Sequence, residues 1–223
     1  MLSSKSPKKQ LKNKWIKRYN LTAVSDFKYY KIVGCFIVGF ELIRTQGEIQ
    51  PHFVIYPLWK KDLKTCMLFP CVLHCIEDSR GGSYQISITK MLEQIDVIFS
   101  DAERYIGFDL TKDVRVNDIL TIIEHEQYSK MYINNPYQQG ISSELKIYLS
   151  IYVSDKQLYE QTIAEIDCIY TRTNQDIFRH WFGDFAKWKI DLESAPARRN
   201  VVLEQIEENA LGSKISASVR LMA

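Results

Sequence analysis

The side chains best suited to chemistry in this chain gather in a few short stretches. Cys66, Cys71, His74 and Cys75 are the one place where metal-ligand types cluster. Structural zinc sites bring two close pairs, because each short pair wraps one side of a tetrahedron. Here Cys71 and Cys75 are four apart, set among Pro70, Val72 and Leu73, and no second Cys/His pair follows. The cluster reads as core thiols, not as a metal site. Two Asp/Glu-x-Lys triplets, Asp62-Leu63-Lys64 and Glu144-Leu145-Lys146, match the carboxylate and lysine of metal-dependent nucleases, with Glu41 or Glu48 available as a second carboxylate. Such triplets arise by chance in a chain with 27 acidic and 29 basic residues.

His125 lies between Glu124 and Glu126, but neighbours on a helix point about 100° apart, so the three do not converge on one proton. His180, between Arg179 and Trp181, reads as a structural histidine. Arg80-Gly81-Gly82-Ser83 lacks the frame of a phosphate-binding loop and reads as a hairpin turn. No GxSxG elbow occurs. The sequence therefore supplies no catalytic residue, no metal site and no cofactor.

Two features point to contact instead of chemistry. Lys5, Lys8, Lys9, Lys12, Lys14, Lys17 and Arg18 crowd the first eighteen residues, which contain no Asp or Glu, so this arm carries +7. Subtracting it from the formal +2 of the chain leaves −5 on residues 19–223, an acidic body that suits a basic partner. Lysines beside Trp15 and Tyr19 would neutralise phosphates while the rings stack on bases. They would equally meet an acidic protein, dock on the chain's own acidic body, or form a solvated end with Trp15 packed at home. The second feature is the aromatic run Ile177, Phe178, Trp181, Phe182, Phe185 and Trp188. Helical stripes of this kind are usually core, yet Gly183 and Lys187 leave room for part of the face to bind a partner.

These features need elements to carry them. With 46% apolar and 12% aromatic residues, 223 residues are enough for a sizeable core. The best membrane candidate, 32–43, is about half the ~20 apolar residues a spanning helix needs. The first residues lack a secretory apolar stretch, and their basic residues are nearly all Lys where mitochondrial presequences favour Arg. Five cysteines in mostly apolar surroundings read as buried thiols of a reducing compartment, hence the cytoplasm.

Residues 1–7 have too little apolar content to order themselves. Leu11, Trp15 and Tyr19 recur at helical spacing and predict a short amphipathic helix. Strand character fills 27–88: a long strand over 29–44 that bends at a glycine, a turn at Thr45-Gln46-Gly47-Glu48, and a partner over 49–59 that Pro51 and Pro57 push to an edge or shorten. Extended segments at 64–69 and 84–88 follow. Helical periods fill 89–211: one through Met91 to Tyr105 capped by Thr89 and ended at Gly107, and one through Val116 to Tyr128. The stretch 145–153 reads as helix or strand. Further helices start from caps at Asp155 and Asn174, the latter running to about 192, and the last spans about 200–211. Alternation over 214–222 marks a terminal strand that returns to the N-terminal sheet.

The expected fold is α+β: a mostly antiparallel sheet from the N-terminal half and a C-terminal strand, with helices 89–211 on one face. The expected domains are a basic arm at 1–20 and one α+β domain at 21–223. The function expected is that of a non-enzymatic, protein-binding or regulatory module, such as a toxin-neutralising protein. Its candidate contact residues are Lys8, Lys9, Lys12, Lys14, Trp15, Lys17, Arg18, Trp181, Phe185 and Trp188. A nucleic-acid-associated protein working through residues 5–19 is the alternative, and a metal-dependent nuclease a more distant one.

Overall fold

A computed structural model describes residues 6–222; Lys5, counted above with the basic arm, lies outside them. The class is α+β, as the residue pattern implies. The chain gathers into two compact units. Among the described residues the first holds 6–56, Val72–Val114 and Ser213–Leu221; the second holds Pro57–Cys71, Arg115–Gly212 and Met222.

The first unit begins with α1 (Pro7–Tyr19), whose Ser6 side chain accepts from Lys9 N–H and whose first residue is Pro. Order thus reaches Ser6 and Pro7, two residues the composition assigns to a loose tail, because a serine cap followed by proline starts a helix well. The sheet follows as β1 (Thr22–Ala23), β2 (Lys28–Val33), β3 (Phe36–Thr45), β4 (Glu48–Pro57) and β5 (Val72–Cys75), hydrogen-bonded in that order. The run 29–44 is two strands and not one bent strand. Gly34, at φ +55°, makes the turn between them, and β2 pairs β3 with Lys28 opposite Glu41. β4 is interior; its ladder with β5 covers only residues 52–55, inside Pro51 and Pro57, which lack the N–H that pairing needs.

Helices α3 (Ile88–Glu93) and α4 (Ile95–Ile106) come next in this unit. The stretch 84–88 is not a strand. It makes one bridge, Ile49 to Ile86, and then Ser87, not Thr89, caps α3. Gly107, in the left-handed conformation, ends α4. β6 (Val114–Arg115) pairs with β8 (Leu221–Met222), Val114 N–H reaching Arg220 O at 2.9 Å. The terminal strand returns as expected: β7 (Ser218–Val219) runs parallel to β2, with Ile32 opposite Ser218. The Thr22 hydroxyl accepts from Ala217 N–H at 2.9 Å and so ties this end to β1.

The core of the first unit shows why α1 folds where it does. Trp15 is 0% exposed, its ring 4.6 Å from Phe40 and 4.9 Å, edge-on, from Phe99. Leu11 and Tyr19 are buried on the same stripe. Charges then fasten the outside. Lys8 and Lys12 meet Asp26 at 2.6 and 3.5 Å, and Arg18 grips both oxygens of Glu103 at 2.7 and 2.9 Å. Hydrogen bonding and charge from Lys8 hold the Asp26 carboxyl below the usual carboxylate range. Of the alternatives open to the basic arm, docking on its own body is therefore realised for Lys8, Lys12 and Arg18. Beneath the sheet surface, Glu41 accepts from the hydroxyls of Tyr30 and Tyr56 and from Lys28. Lys31 is fully buried with its ammonium on Leu110 O, and burial lowers its pKa to about 8.

The second unit is helical: α2 (Leu63–Cys66), α5 (Val116–Tyr128), α6 (Pro136–Val153), α7 (Lys156–Arg172), α8 (Gln175–Phe182), α9 (Phe185–Ser194) and α10 (Arg199–Gly212). Residues 64–69, expected as a strand, instead contain α2, because the Asp62 carboxylate accepts from Thr65 N–H at 2.7 Å and caps a turn. The open stretch 145–153 is helix, part of α6. The aromatic run 174–192 is two helices, separated at Gly183 (φ +77°), after which Asp184 caps α9. Among the described residues no helix is long and apolar enough to cross a membrane.

The docking of α1 can be tested at Trp15. Its indole N–H is buried without a partner, so Trp15→Phe keeps most of the packing and removes an unpaired donor, and should cost less than about 2 kcal/mol in urea unfolding. Trp15→Ala should cost about 3–5 kcal/mol. Equal, small effects would mean that the helix is not anchored there.

Candidate functional site

The chemistry-bearing residues picked out above are mostly occupied by structural work. Asp62 caps α2, and Lys64 is exposed. Glu144 and Lys146 are two apart on α6 and so diverge by about 200°; Lys146 turns to Glu124 at 3.5 Å and to the Tyr128 ring. Neither triplet lies at a strand end. Glu124 thus parts from His125, which meets Glu126 at 3.4 Å. His180 is exposed on α8, edge-on to Trp181, and is not the packed histidine expected. His74 stacks on Tyr105 at 3.5 Å. Cys35, Cys66 and Cys71 are buried, Cys75 is half-buried, and Cys168, expected to be buried, is exposed on α7. Among the described residues no three His, Cys, Asp or Glu side chains group so as to hold a metal ion. Arg80-Gly81-Gly82 is a turn on the Asp78 carboxylate, which takes the N–H groups of Arg80 and Gly82.

The candidate contact residues divide. On α1, Lys9, Lys14 and Lys17 are exposed, whereas Trp15 is sealed in the core and cannot stack on a base without leaving it. In the aromatic run, Phe178 and Trp188 point inward, their rings 5.1 Å apart, and Phe185 lies half-buried against Tyr170 at 3.8 Å. Trp181 points outward and is 45% exposed. It borders a cleft of about 370 Å³ within the second unit.

Four pieces of chain build this cleft. α6 contributes Tyr137, Ile141 and Glu144, spaced i, i+4 and i+7 so that they share one face. α8 contributes Trp181 and Phe182, and α9 contributes Trp188. Gly140 lets α8 come close: a Cβ there would stand 2.4 Å from the Phe182 ring. The stretch from Pro57 to Cys71 supplies the facing wall, with Lys60, Leu68 and Phe69. Asn209 of α10 holds the start of that wall, its amide donating to Leu58 O at 2.8 Å and Lys60 O at 2.7 Å. Trp181 lies 4.7 Å from the Tyr137 ring and 6.0 Å, edge-on, from Phe69.

At the floor, Lys60 Nζ donates to Glu144 Oε2 at 2.5 Å and Trp188 Nε1 donates to Glu144 Oε1 at 2.9 Å. Both carboxylate oxygens are thus taken. Burial works against the Lys60 ammonium, but the charge and hydrogen bond of Glu144 outweigh it and raise its pKa. Burial pushes the Tyr137 hydroxyl and the Cys71 thiol well above their ordinary values; at Cys71 the Lys60 charge works against this and Glu144 adds to it. The cleft therefore holds a lysine whose charge Glu144 favours, a carboxylate with a donor on each oxygen, and a hydroxyl and a thiol whose ionisation burial opposes. A larger cavity of about 570 Å³ in the first unit has its charges paired at home, Arg18 with Glu103 and Asp109 with Lys112.

Sequence reasoning located Trp181 and Trp188 but missed Lys60, Phe69 and Asn209. The one available signal was Phe69 beside Leu68 and Pro70, an apolar run too short to fill a strand.

The floor makes a definite prediction. Lys60→Met strands a buried carboxylate and should cost about 3 kcal/mol in urea unfolding, whereas Lys60→Met with Glu144→Met should recover much of that loss. Additive losses in the double variant would show that the two groups do not depend on each other. No family model, no curated protein and no solved structure matches this chain.

Proposed function

We propose that this chain is a non-enzymatic protein-binding module of the cytoplasm, one that sequesters or adapts another protein through the aromatic cleft of its second unit. The observation that carries the reading is the rim of that cleft, where Leu68, Phe69 and Trp181 are 61%, 54% and 45% exposed around a concave, aromatic-walled space. Large apolar groups set together around a hollow favour a covering partner, and Trp is among the side chains that most often dominate binding energy. The engaged state of Glu144 and the retained proton of Lys60 favour recognition over catalysis. Toxin neutralisation is one role a module of this kind fills.

A second reading rests on Lys9, Lys14 and Lys17, exposed cations on α1 that suit phosphate contact. It is the weaker one, since Trp15 and Tyr19 are committed to the core and only salt-sensitive charge contact is left to the arm.

The two readings separate with the full chain as bait. Partner retention should fall roughly ten-fold in Trp181→Ala and stay near its original level when Lys9, Lys14 and Lys17 are all changed to Glu. Salt-sensitive retention of nucleic acid, lost on the lysine changes and indifferent to Trp181, would reverse the assignment.

A further inference from the structure

The cleft has a sign as well as a shape. Its floor presents a donor more openly than an acceptor: Glu144 carries a donor on each oxygen and has a side chain 10% exposed, while Lys60 has given it one of three ammonium N–H groups and keeps a side chain 31% exposed. The wall that carries Lys60 is itself basic, since residues 57–71 contain Lys60, Lys61 and Lys64 against the single acid Asp62. That acid is already engaged as the cap of α2. With Glu144 of the floor counted as well, three lysines stand against two acids, a small local excess of positive charge within a body whose net charge is negative.

We propose that the cleft binds an acidic peptide segment of its partner, with an apolar side chain packed against the Phe69–Trp181 pair and a neighbouring carboxylate on the remaining N–H groups of Lys60. This rests on the cleft being the recognition surface. A carboxylate there makes charge-assisted hydrogen bonds, about twice as strong as those of a neutral acceptor. It lies nearer to Lys60 than to Glu144, so attraction exceeds repulsion, and the low surrounding polarity strengthens the difference. A lysine or arginine entering the same space would face the more exposed Lys60 ammonium and find the less exposed Glu144 oxygens already carrying donors. The rim supplies the complementary apolar contact, two aromatic faces meeting edge-on at 6.0 Å.

The test uses the full chain panned against a display library of random short peptides. Enriched peptides should place Asp or Glu beside an aromatic residue or Leu, and their binding should weaken with added salt. Affinity should drop roughly ten-fold in Trp181→Ala, an exposed position that leaves the fold intact. It should drop comparably in the double variant Lys60→Met with Glu144→Met, which removes both floor charges together and so avoids a stranded carboxylate. Enriched peptides that are basic or uncharged but still need Trp181 would overturn the acidic assignment and leave the cleft as the binding surface. Enrichment indifferent to Trp181 would remove both.

Discussion

A carboxylate set among aromatic rings must be neutralised where it stands, and in the second unit Glu144 imposes that requirement. It projects from α6 toward Trp188 and Lys60, and each supplies a donor to one of its oxygens. Satisfying the charge fixes three things at once: the rotation of α9 that brings the Trp188 N–H inward, the position of the 57–71 wall that carries Lys60, and the role of Asn209, which holds that wall by its carbonyls. What is left over is the cleft. Its floor is polar, with a donor on each Glu144 oxygen and N–H groups of Lys60 to spare, and its rim is apolar and open.

The first unit solves a different problem, that of a helix too basic to be stable alone. Six positive charges in the 13 residues of α1 repel one another, and a lone helix of this length is marginal in water. Burial of Leu11, Trp15 and Tyr19 supplies the driving force, and Asp26 and Glu103 relieve part of the repulsion. The exposed pairs contribute little each, about 0–1 kcal/mol. Packing therefore decides the position of α1, and the ion pairs tune it. Of the cations on α1, Lys8, Lys12 and Arg18 are thus paired at home, and Lys9, Lys14 and Lys17 are left exposed.

Much of this architecture is legible from local pattern. The stripe of α1, the alternation of the terminal strand, the caps at Asp155 and Asn174 and the stop at Gly107 all rest on neighbours within a turn or two, and each appears where the residues imply. Errors arise where a local signal has two meanings. Residues 64–69, stopped by Pro70, read as an extended segment, but a single aspartate in a cap position turns the start of it into α2. The aromatic run after Asn174 has helical spacing throughout, yet Gly183 divides it and sends Trp181 outward while Trp188 goes in. The cleft itself is the least legible part, because its members are distant in sequence. Lys60 and Glu144 are 84 residues apart, and Asn209 is 149 from Lys60. No spacing rule links them; only the folded unit does.

The central claim, that recognition takes place at the cleft, is tested most directly by a photo-crosslinker built into its rim. Phe69→p-benzoylphenylalanine keeps an exposed aromatic group at the site, and irradiation of cells carrying the full chain should yield a covalent adduct with one partner protein. The claim would be contradicted if the same crosslinker gave no adduct at position 69 and a clear one at position 14 on α1.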